Sequence, residues 1–417
     1  MGTTQIIAIV VFVVVMVAIV TEKIHRALAA VVGAMVLLIL HVVSFDAAME
    51  HVDFNTLGVL LGMMLFVAVV KLSGLFEYLA IKCARLAKGN PWLVMVLFVC
   101  LTAVLSALLD NVTTVLLIGP MTVTVCRLLD LDPLPFFLAE IMASNIGGTA
   151  TLIGDPPNIM IGSAAGLSFA DFVMVDAPAA IICLIVMFGR KFKVDEEHKR
   201  ALMERDEREE IKNPTLLRQS VIMIILVTAG FMLHGSLGIE SCVVALTAAG
   251  ILMLISGERI EEALAHVEWT TLVFFAGLFI VVGALSEVGV IGMLAQALID
   301  VTGGSTFIAM LVLLIASAII SSFLDNIPFV VTMIPILLSM EATGMDVMPL
   351  WWAVSLGACL GGNGTLIGAS ANVVMSDIAK KHGTEITFMG FLKYGFPIML
   401  VTIAVSAVYL VVRFPPM

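Results

Sequence analysis

Three aspartates lie in surroundings that are otherwise apolar, and a carboxylate there needs a partner or a proton. Asp110 and Asp325 each stand between two apolar runs, and Asp155 stands in a glycine-rich stretch inside a third. A charged side chain at the centre of a bilayer costs about 2.5 to 3.5 kcal/mol on insertion scales. Such a carboxyl can carry a coupling proton or, when ionised, can help to bind sodium. We therefore predict proton coupling at Asp110, Asp155 and Asp325.

Each aspartate also has a purely structural interpretation. Asp110 and Asp325 stand where a side chain could cap the next helix, because Asp accepts hydrogen bonds from the N2 and N3 amides. Capping is compatible with a role in transport. Asp155 precedes Pro156, where its side chain could close an Asx-type turn. Glu140, on the helix that leads towards Asp155, is a weaker candidate for proton binding.

Two stretches that mix glycine with polar residues interrupt the apolar pattern. Residues 145–158 read NIGGTATLIGDPPN, and residues 361–372, GGNGTLIGASAN, align with 147–158 without a gap. Glycine and proline disfavour a helix interior. In a membrane, unwound backbone survives only where it is buried in protein or lines a wet cavity. The sequence therefore predicts two broken helices whose polar residues form a binding site.

The predicted substrate- and ion-binding residues belong to the two Asp-Asn pairs, their neighbours and the two breaks. They are Asp110, Asn111, Thr113, Thr114, Asn145, Gly148, Thr149, Thr151, Asp155, Asn158, Asp325, Asn326, Asn363, Thr365 and Asn372. Short oxygen-bearing side chains beside helix ends suit a cation or a neutral hydroxylated solute. Helix N-termini would equally favour an anion. The threonines could instead bond to their own helix.

Composition places the chain in a membrane. Its 417 residues are 61% hydrophobic and 13% charged, and the apolar runs, such as 55–80 and 270–286, are long enough for spanning helices. A net charge of −11 without a basic patch argues against nucleic acid as a partner. The six cysteines form no CxxC pair, so neither a metal site nor a cofactor is expected. Without a nucleophile–base set, we do not expect an enzyme.

The chain is organised as two repeats around a linker. The pair Asp110-Asn111 recurs as Asp325-Asn326, an offset of 215, and the text AMEHVDF at 48–54 recurs as ALAHVEW at 263–269. We predict a first repeat at 1–190, a charged cytoplasmic linker at 191–218 and a second repeat at 219–417. Each repeat is expected to hold a re-entrant hairpin, at 91–129 and 306–340, and a broken helix, at 136–165 and 350–379. The two half-sites differ, because Asp155 corresponds to Ala369 and Asn145 to Cys359.

Parity and charge predict an inverted topology. The expected fold is an all-α integral membrane protein with two inverted-topology repeats of about five spans each, since an odd number of crossings turns the second repeat over. With the linker in the cytoplasm, nearly all lysines and arginines near span ends face inwards, and Arg413 lies outside. The protein is thus predicted to be a multi-pass protein of the inner (cytoplasmic) membrane, with both termini on the non-cytoplasmic side.

Two segments carry a resemblance to a known superfamily. Residues 109–117, LDNVTTVLL, and 144–158, SNIGGTATLIGDPPN, resemble the signature of the ion transporter superfamily, in the branch of the ArsB arsenite efflux proteins, the NhaD sodium/proton antiporters and the melanosomal P protein. The resemblance covers nearly the whole chain. It implies two re-entrant hairpins, a scaffold, a mobile transport domain and often a homodimer.

The resemblance also directs the expectation about substrate. Related divalent-anion/sodium symporters carry Ser-Asn-Thr at the hairpin tips, whereas this chain has Asp110 and Asp325 in place of the serine, and Pro328 departs from threonine. Two fixed negative charges oppose a dianion and favour proton-coupled export. The expectation is an ArsB-like metalloid/proton antiporter for arsenite or antimonite, taken as the neutral acid, with a partner ATPase if it is ArsB-like. The alternatives are an NhaD-type sodium/proton antiporter and a sodium-coupled anion or carboxylate symporter.

Overall fold

The fold is helical throughout the described part of the chain. The computed structural model describes residues 2–21, 23–88, 90–187, 211–257 and 260–416, and the regular structure in these ranges consists of helices. The predicted all-α membrane fold is confirmed. Most of the predicted linker, from 191 to 210, lies outside the described residues. The next helix begins at Pro214, five positions before the predicted start at 219.

In the part of the first repeat that the structure describes there are ten helices. In chain order they are α1 Thr3–Thr21, α2 Arg26–Ile39, α3 Phe45–Glu50, α4 Phe54–Leu72, α5 Leu75–Leu86, α6 Pro91–Leu108, α7 Asn111–Leu128, α8 Leu134–Thr149, α9 Pro156–Ala165 and α10 Phe169–Met187. Helices α6 and α7 form the first hairpin. Helices α8 and α9 are the two parts of the first broken helix, and residues 150–155 are the break.

The described residues of the second repeat also form ten helices, and these correspond in order to those of the first. They are α11 Pro214–Leu237, α12 Ser241–Ser256, α13 Ile260–Leu264, α14 Trp269–Glu287, α15 Val290–Thr302, α16 Thr306–Phe323, α17 Asn326–Ala342, α18 Met348–Gly361, α19 Ser370–Lys381 and α20 Phe388–Arg413. Helices α4 and α14 begin at 54 and 269 and end at 72 and 287, so both ends keep the offset of 215. The repeat in the sequence is a repeat in the structure.

The two repeats are interlocked, because helices of each repeat pack against helices of the other in matching pairs. Helix α4 packs against α12, and their counterparts α14 and α2 pack against each other. In the same way α7 packs against α19, and α17 packs against α9. Helices α8 and α18, which lead into the breaks, also contact one another. This exchange is what a two-fold relationship between repeats produces, and it brings both breaks to the middle of the molecule.

The outer surface is apolar and the interior is polar at selected positions. Leu254, Val412 and Ile39 are 83%, 76% and 72% exposed, whereas Glu140 and Asp176 are fully buried. This distribution suits lipid as the surrounding solvent. Within the described residues, nine helices are long and apolar enough to cross a membrane.

Two apolar segments differ from the prediction. The segment 55–80 is not one helix, because it is divided at Ser73 and Gly74. Gly74 has φ of 81° and directly precedes the first residue of α5. Glycine adopts this left-handed conformation without the steric cost that a Cβ atom brings. In the counterpart turn, Gly289 has φ of 78° and directly precedes α15, a helix that the apolar pattern did not reveal.

Close helix packing holds each hairpin against its broken helix. A Cβ atom on Gly147 would lie 2.3 Å from the carbonyl oxygen of Ala103, and one on Gly361 would lie 2.7 Å from that of Ala318. Both distances are below any van der Waals contact, so only glycine fits. As a result α6 approaches α8, and α16 approaches α18, at backbone distance.

Candidate functional site

Two equivalent asparagines hold the two breaks in shape. The amide nitrogen of Asn158 donates to the carbonyl oxygens of Gly148, Thr149 and Thr151, at 3.4, 3.1 and 3.0 Å. In the second repeat, the amide of Asn372 donates to two carbonyls, at 2.7 and 3.0 Å. These carbonyls have lost their helical partners because the chain unwinds there. Both asparagines were predicted site residues, and each satisfies the backbone of its own break.

The oxygens of these two asparagines face the opposite repeat. Asn372 Oδ1 accepts from Asn145 Nδ2 at 2.9 Å, and Asn158 Oδ1 accepts from the Cys359 thiol at 3.4 Å. Because 145 and 359 are equivalent positions, as are 158 and 372, the two contacts are related by the repeat. The first uses an amide donor and the second a thiol, so the predicted difference between half-sites lies at the centre of the site.

Asn145 joins several of the predicted residues into one cluster. Its amide also donates to Asn363 Oδ1 at 3.0 Å, and its oxygen accepts from Asn111 at 3.3 Å. The Asn363 Nδ2 atom is buried without a partner, and so is Thr114 Oγ1. Asn363 belongs to this amide cluster, and Thr114 lies one helical turn after its member Asn111 on α7. Their unused hydrogen-bonding capacity is suited to a bound solute.

The tips of both hairpins are capped by their aspartates. Asp110 Oδ1 accepts from the Thr113 amide at 2.7 Å, and Asp110 Oδ2 accepts from the Thr113 hydroxyl. Asp325 Oδ1 accepts from the Ile327 amide at 3.1 Å. Capping is therefore present at both tips. It occupies one oxygen of Asp325 and leaves the other for a different partner.

Asp155 does not close the turn before Pro156. Its side chain makes no capping hydrogen bond with α9, and both of its oxygens face Asn326 Nδ2, at 3.2 and 3.1 Å. Cys359 and the other two predicted aspartates, Asp110 and Asp325, interact electrostatically with this carboxyl group. The three predicted aspartates are therefore grouped around one region. The Asx-turn interpretation of Asp155 was wrong, because the tip of the second hairpin supplies a donor.

The predicted threonines mainly hold backbone. Thr149 Oγ1 donates to the carbonyl of Asn145 in its own helix at 2.7 Å, as the back-bonding interpretation required. Thr151 Oγ1 donates to the Ala107 carbonyl, and its counterpart Thr365 donates to that of Ser322. These last two bonds tie each break to its hairpin. Gly148 packs against Gly154 across the break, where a Cβ atom would lie 2.6 Å from a carbonyl oxygen.

Arg26 is a member of the site that the sequence did not reveal. Its Nη1 atom donates to Asp325 Oδ2 at 3.2 Å and to the Ser370 hydroxyl at 2.6 Å. Ser370 in turn donates to Asp325 Oδ2 at 2.8 Å. In the sequence, Arg26 is one of the arginines near span ends, whose positive charge predicts only the orientation of the chain. The sequence does offer one signal, because at the offset of 215 the second repeat has Ser241 where the first repeat has Arg26.

A cavity opens beside this ion pair. It has a volume of about 300 Å³ and is lined by Arg26, His25, Asp325, Ser370 and apolar residues of α1, α16 and α19. The N-terminus of α19 lies at its wall, and the residue before it, Ala369, provides no side-chain cap. The cavity thus reaches the tip of the second hairpin from the end of the molecule where α1 ends and α2 begins.

Two further buried carboxyl groups lie near the breaks. Glu140 accepts from Thr122 at 2.6 Å, and Asp176 of α10 lies against the hydroxyl of Ser355, at 2.5 Å. One oxygen of each has no partner. Asp176 was missed, although it is an aspartate inside an apolar span and the argument used for Asp110 applies to it. The described residues contain no group of three His, Cys, Asp or Glu side chains that could hold a metal ion.

An all-helical membrane protein with two interlocked repeats, two hairpins and two broken helices has the architecture of a secondary transporter. Comparison with solved structures supports this fold. The YdaH transporter from Alcanivorax borkumensis superposes with a TM-score of 0.58 and 14% identity, over 99% of this chain and 98% of its own. At this level of identity the similarity concerns the fold.

The sequence comparisons give the family. The model of the citrate transporter family, CitMHS, matches residues 16–357, and this chain belongs to that family. An uncharacterized transporter of Mycobacterium tuberculosis is 43% identical over 98% of this chain and 99% of its own. A 46 kDa membrane protein of Mycobacterium leprae is 42% identical over the same shares.

A third relative bears on the predicted branch. The human P protein is 35% identical over 94% of this chain, which matches 58% of the P protein. The predicted membership of the ion transporter superfamily is therefore confirmed. The named relatives point to transport as the activity of this protein, in place of catalysis.

Proposed function

We propose that this protein is a proton-coupled secondary transporter that works by alternating access and exports a small hydroxylated inorganic solute. The observation that carries the proposal is the position of Asp155. This buried carboxylate lies in the first break, faces an amide of the second hairpin tip, and is close enough to Asp110 and Asp325 for their charges to act on it. Nearby carboxyls titrate as a set, so a change at one aspartate is felt by the others.

Arsenous acid, with its antimony analogue, is the first candidate solute. A neutral trihydroxylated molecule can both donate to and accept from amides and hydroxyls. Asn363 Nδ2, in the cluster around Asn145, has no partner, and neither has Thr114 Oγ1, one helical turn after Asn111 on α7. Three carboxylates close to the cluster oppose an anion there. If the ArsB-like assignment holds, a partner ATPase and a homodimer are further expectations.

A carboxylate such as citrate is the second candidate, and a different observation favours it. Arg26 and the uncapped N-terminus of α19 both line the cavity, and each is attractive to an anion. The description of the matched family names citrate. Against this stands Asp325, which already pairs with Arg26. Sodium/proton antiport is the remaining alternative, and it would use the same three aspartates.

The orientation in the membrane belongs to the same proposal. With both termini outside the cytoplasm, the end of α1 and the start of α2 face the cytoplasm, and so does the mouth of the cavity. The structure would then represent an inward-facing state, from which the hairpin tip of the second repeat is reached from inside. The protein would function in the inner membrane.

A two-stage experiment tests the substrate and the coupling. Thermal stabilisation of the purified protein is measured with arsenous acid, antimonite, citrate and sodium ions. We expect stabilisation by the metalloid acids, whereas stabilisation by citrate alone would reject them and favour the second candidate. The stabilising solute is then followed in proteoliposomes under an imposed pH gradient, with a pH-sensitive dye inside. Uptake that does not depend on the pH gradient would reject proton coupling. A flux far above about one thousand solute molecules per second per protein would indicate a channel.

A further inference from the structure

A chain of four buried groups connects α10 to the first break. Asp176 Oδ2 lies 2.5 Å from Ser355 Oγ, and Ser355 Oγ lies 2.8 Å from Asn158 Oδ1. The Cys359 thiol approaches the same Asn158 oxygen at 3.4 Å. All four side chains are fully buried, so water cannot complete their hydrogen bonds from the surface.

The orientation of Asn158 is fixed by its other contacts. Its amide nitrogen donates to three carbonyl oxygens of the break, which are acceptors only. The atom that faces Ser355 is therefore the amide oxygen, and it can only accept. Ser355 must donate its hydrogen there for the 2.8 Å contact to be a hydrogen bond.

A hydroxyl has one hydrogen, so Ser355 cannot also donate to Asp176. The short contact between Ser355 Oγ and Asp176 Oδ2 is then a hydrogen bond only if the carboxyl supplies the hydrogen. Both contacts are satisfied when Asp176 is the neutral acid, donating to Ser355, which donates to Asn158. The second oxygen, Asp176 Oδ1, has no partner, as suits the carbonyl oxygen of an acid better than a carboxylate.

We propose that Asp176 is a proton-binding site whose occupancy sets the hydrogen-bond direction at the first break. Loss of the proton would turn the Ser355 hydrogen towards the carboxylate and leave two acceptor oxygens, Ser355 Oγ and Asn158 Oδ1, 2.8 Å apart. That arrangement is repulsive and loosens the asparagine that holds the break. The proposal rests on the proton-coupled function proposed above and adds Asp176 to the residues that carry it. Position 176 has no acidic counterpart in the second repeat.

The titratable groups on the neighbouring helices have other partners or lie further away. Helix α10 packs against α8, α11, α18 and α20. Cys359 of α18 and Tyr409 of α20 interact electrostatically with Asp176, and Arg413 of α20 acts on Tyr409. His234 of α11 accepts from the Phe169 amide at the start of α10, and Glu140 of α8 is bonded to Thr122. The Ser355 hydroxyl is the group in hydrogen-bonding contact with the carboxyl.

Infrared spectroscopy can observe this proton directly. Purified protein in lipid at neutral pH should show C=O stretching absorption of a protonated carboxylic acid, and Asp176→Asn should lose one component of it. Asp46→Asn, at an exposed position of α3, is the matched control and should keep the full absorption. Asparagine can donate to Ser355 as the acid does, so we expect the variant to fold. An unchanged acid band in folded Asp176→Asn would overturn the proposal.

A second variant decides the question even if Asp176→Asn does not fold. Ser355→Ala removes the acceptor of the acid, so the band should move to the higher frequency of a free carboxyl, and Ser355→Thr should restore it. A band that does not respond to Ser355→Ala would contradict the hydrogen bond. The infrared measurement does not depend on transport activity. If wild-type protein shows the Asp176 band but no proton-driven flux, the proposed function is rejected and the proton-binding site at Asp176 is not.

Discussion

The carboxylate of Asp155 in the first broken helix accepts from the amide of Asn326 at the tip of the second hairpin, with oxygen–nitrogen distances of 3.2 and 3.1 Å. The contact joins residues 171 positions apart and crosses from one repeat to the other. Its counterpart cannot form, because Ala369 stands where the second repeat would need a carboxylate. The two-fold relationship between the repeats is thus broken at the Asp155 carboxyl group.

Substitution of Asp155 should separate binding from coupling. Asp155→Asn keeps the size of the side chain and an oxygen that can accept from Asn326, but it cannot titrate. For the wild type we expect the affinity for the solute to change about fivefold or more with pH. The variant should still bind the solute, but this dependence on pH should largely disappear. Isothermal titration calorimetry at several pH values measures the affinity, and Asp46→Asn serves as the control.

The coupling prediction extends to the three aspartates together. A variant with Asp110→Asn, Asp155→Asn and Asp325→Asn should still bind the solute but should not concentrate it in proteoliposomes under a pH gradient. Accumulation driven by pH alone in this variant would show that the proton uses another route, with Glu140 the next residue to test.

The ion pair between Arg26 and Asp325 should stabilise the observed conformation. Their side chains are 30% and 16% exposed, between a surface pair and a buried one. A double-mutant cycle with Arg26→Gln and Asp325→Asn should give a coupling free energy of about 1 to 2 kcal/mol in unfolding measurements. The coupling should weaken in high salt. Additive single effects would mean that the pair contributes nothing.

Close packing at Gly147 should tolerate no side chain. Gly147→Ala would place a Cβ atom 2.3 Å from the Ala103 carbonyl oxygen, so we expect a loss of about 1 to 3 kcal/mol in unfolding free energy. Gly250→Ala is the matched control, since it lies within helix α12 with no atom within 4 Å of the added carbon. Thermal denaturation followed by size-exclusion chromatography measures both. Equal melting temperatures for the two variants would contradict the packing argument.

Cysteine labelling tests the proposed orientation. In a background without the six native cysteines, an impermeant reagent added outside should label cysteines placed at Ser236 and Gly303, which are exposed residues at the ends of α11 and α15. It should spare a cysteine at Glu204 in the charged run. Labelling of Glu204→Cys from outside in intact cells would reverse the orientation.

The sequence by itself determined the membrane fold, the two repeats and the position of both breaks. These features are local or periodic. They are apolar runs of helical length, glycines and prolines inside these runs, and sequence motifs that recur at a fixed offset. Even the capping role of Asp110 and Asp325 could be predicted, because a cap depends on the next two or three residues.

The tertiary structure alone decided which side chains meet. Arg26 pairs with Asp325 across 299 positions, and Ser355 meets Asp176 across 179. Such contacts depend on how the repeats interlock, and no local pattern encodes the distance between two helices far apart in the chain. The division of the segment 55–80 escaped prediction for a related reason. Its apolar residues continue on both sides of Gly74, so the hydrophobicity of the sequence does not change at the point where the helix is interrupted.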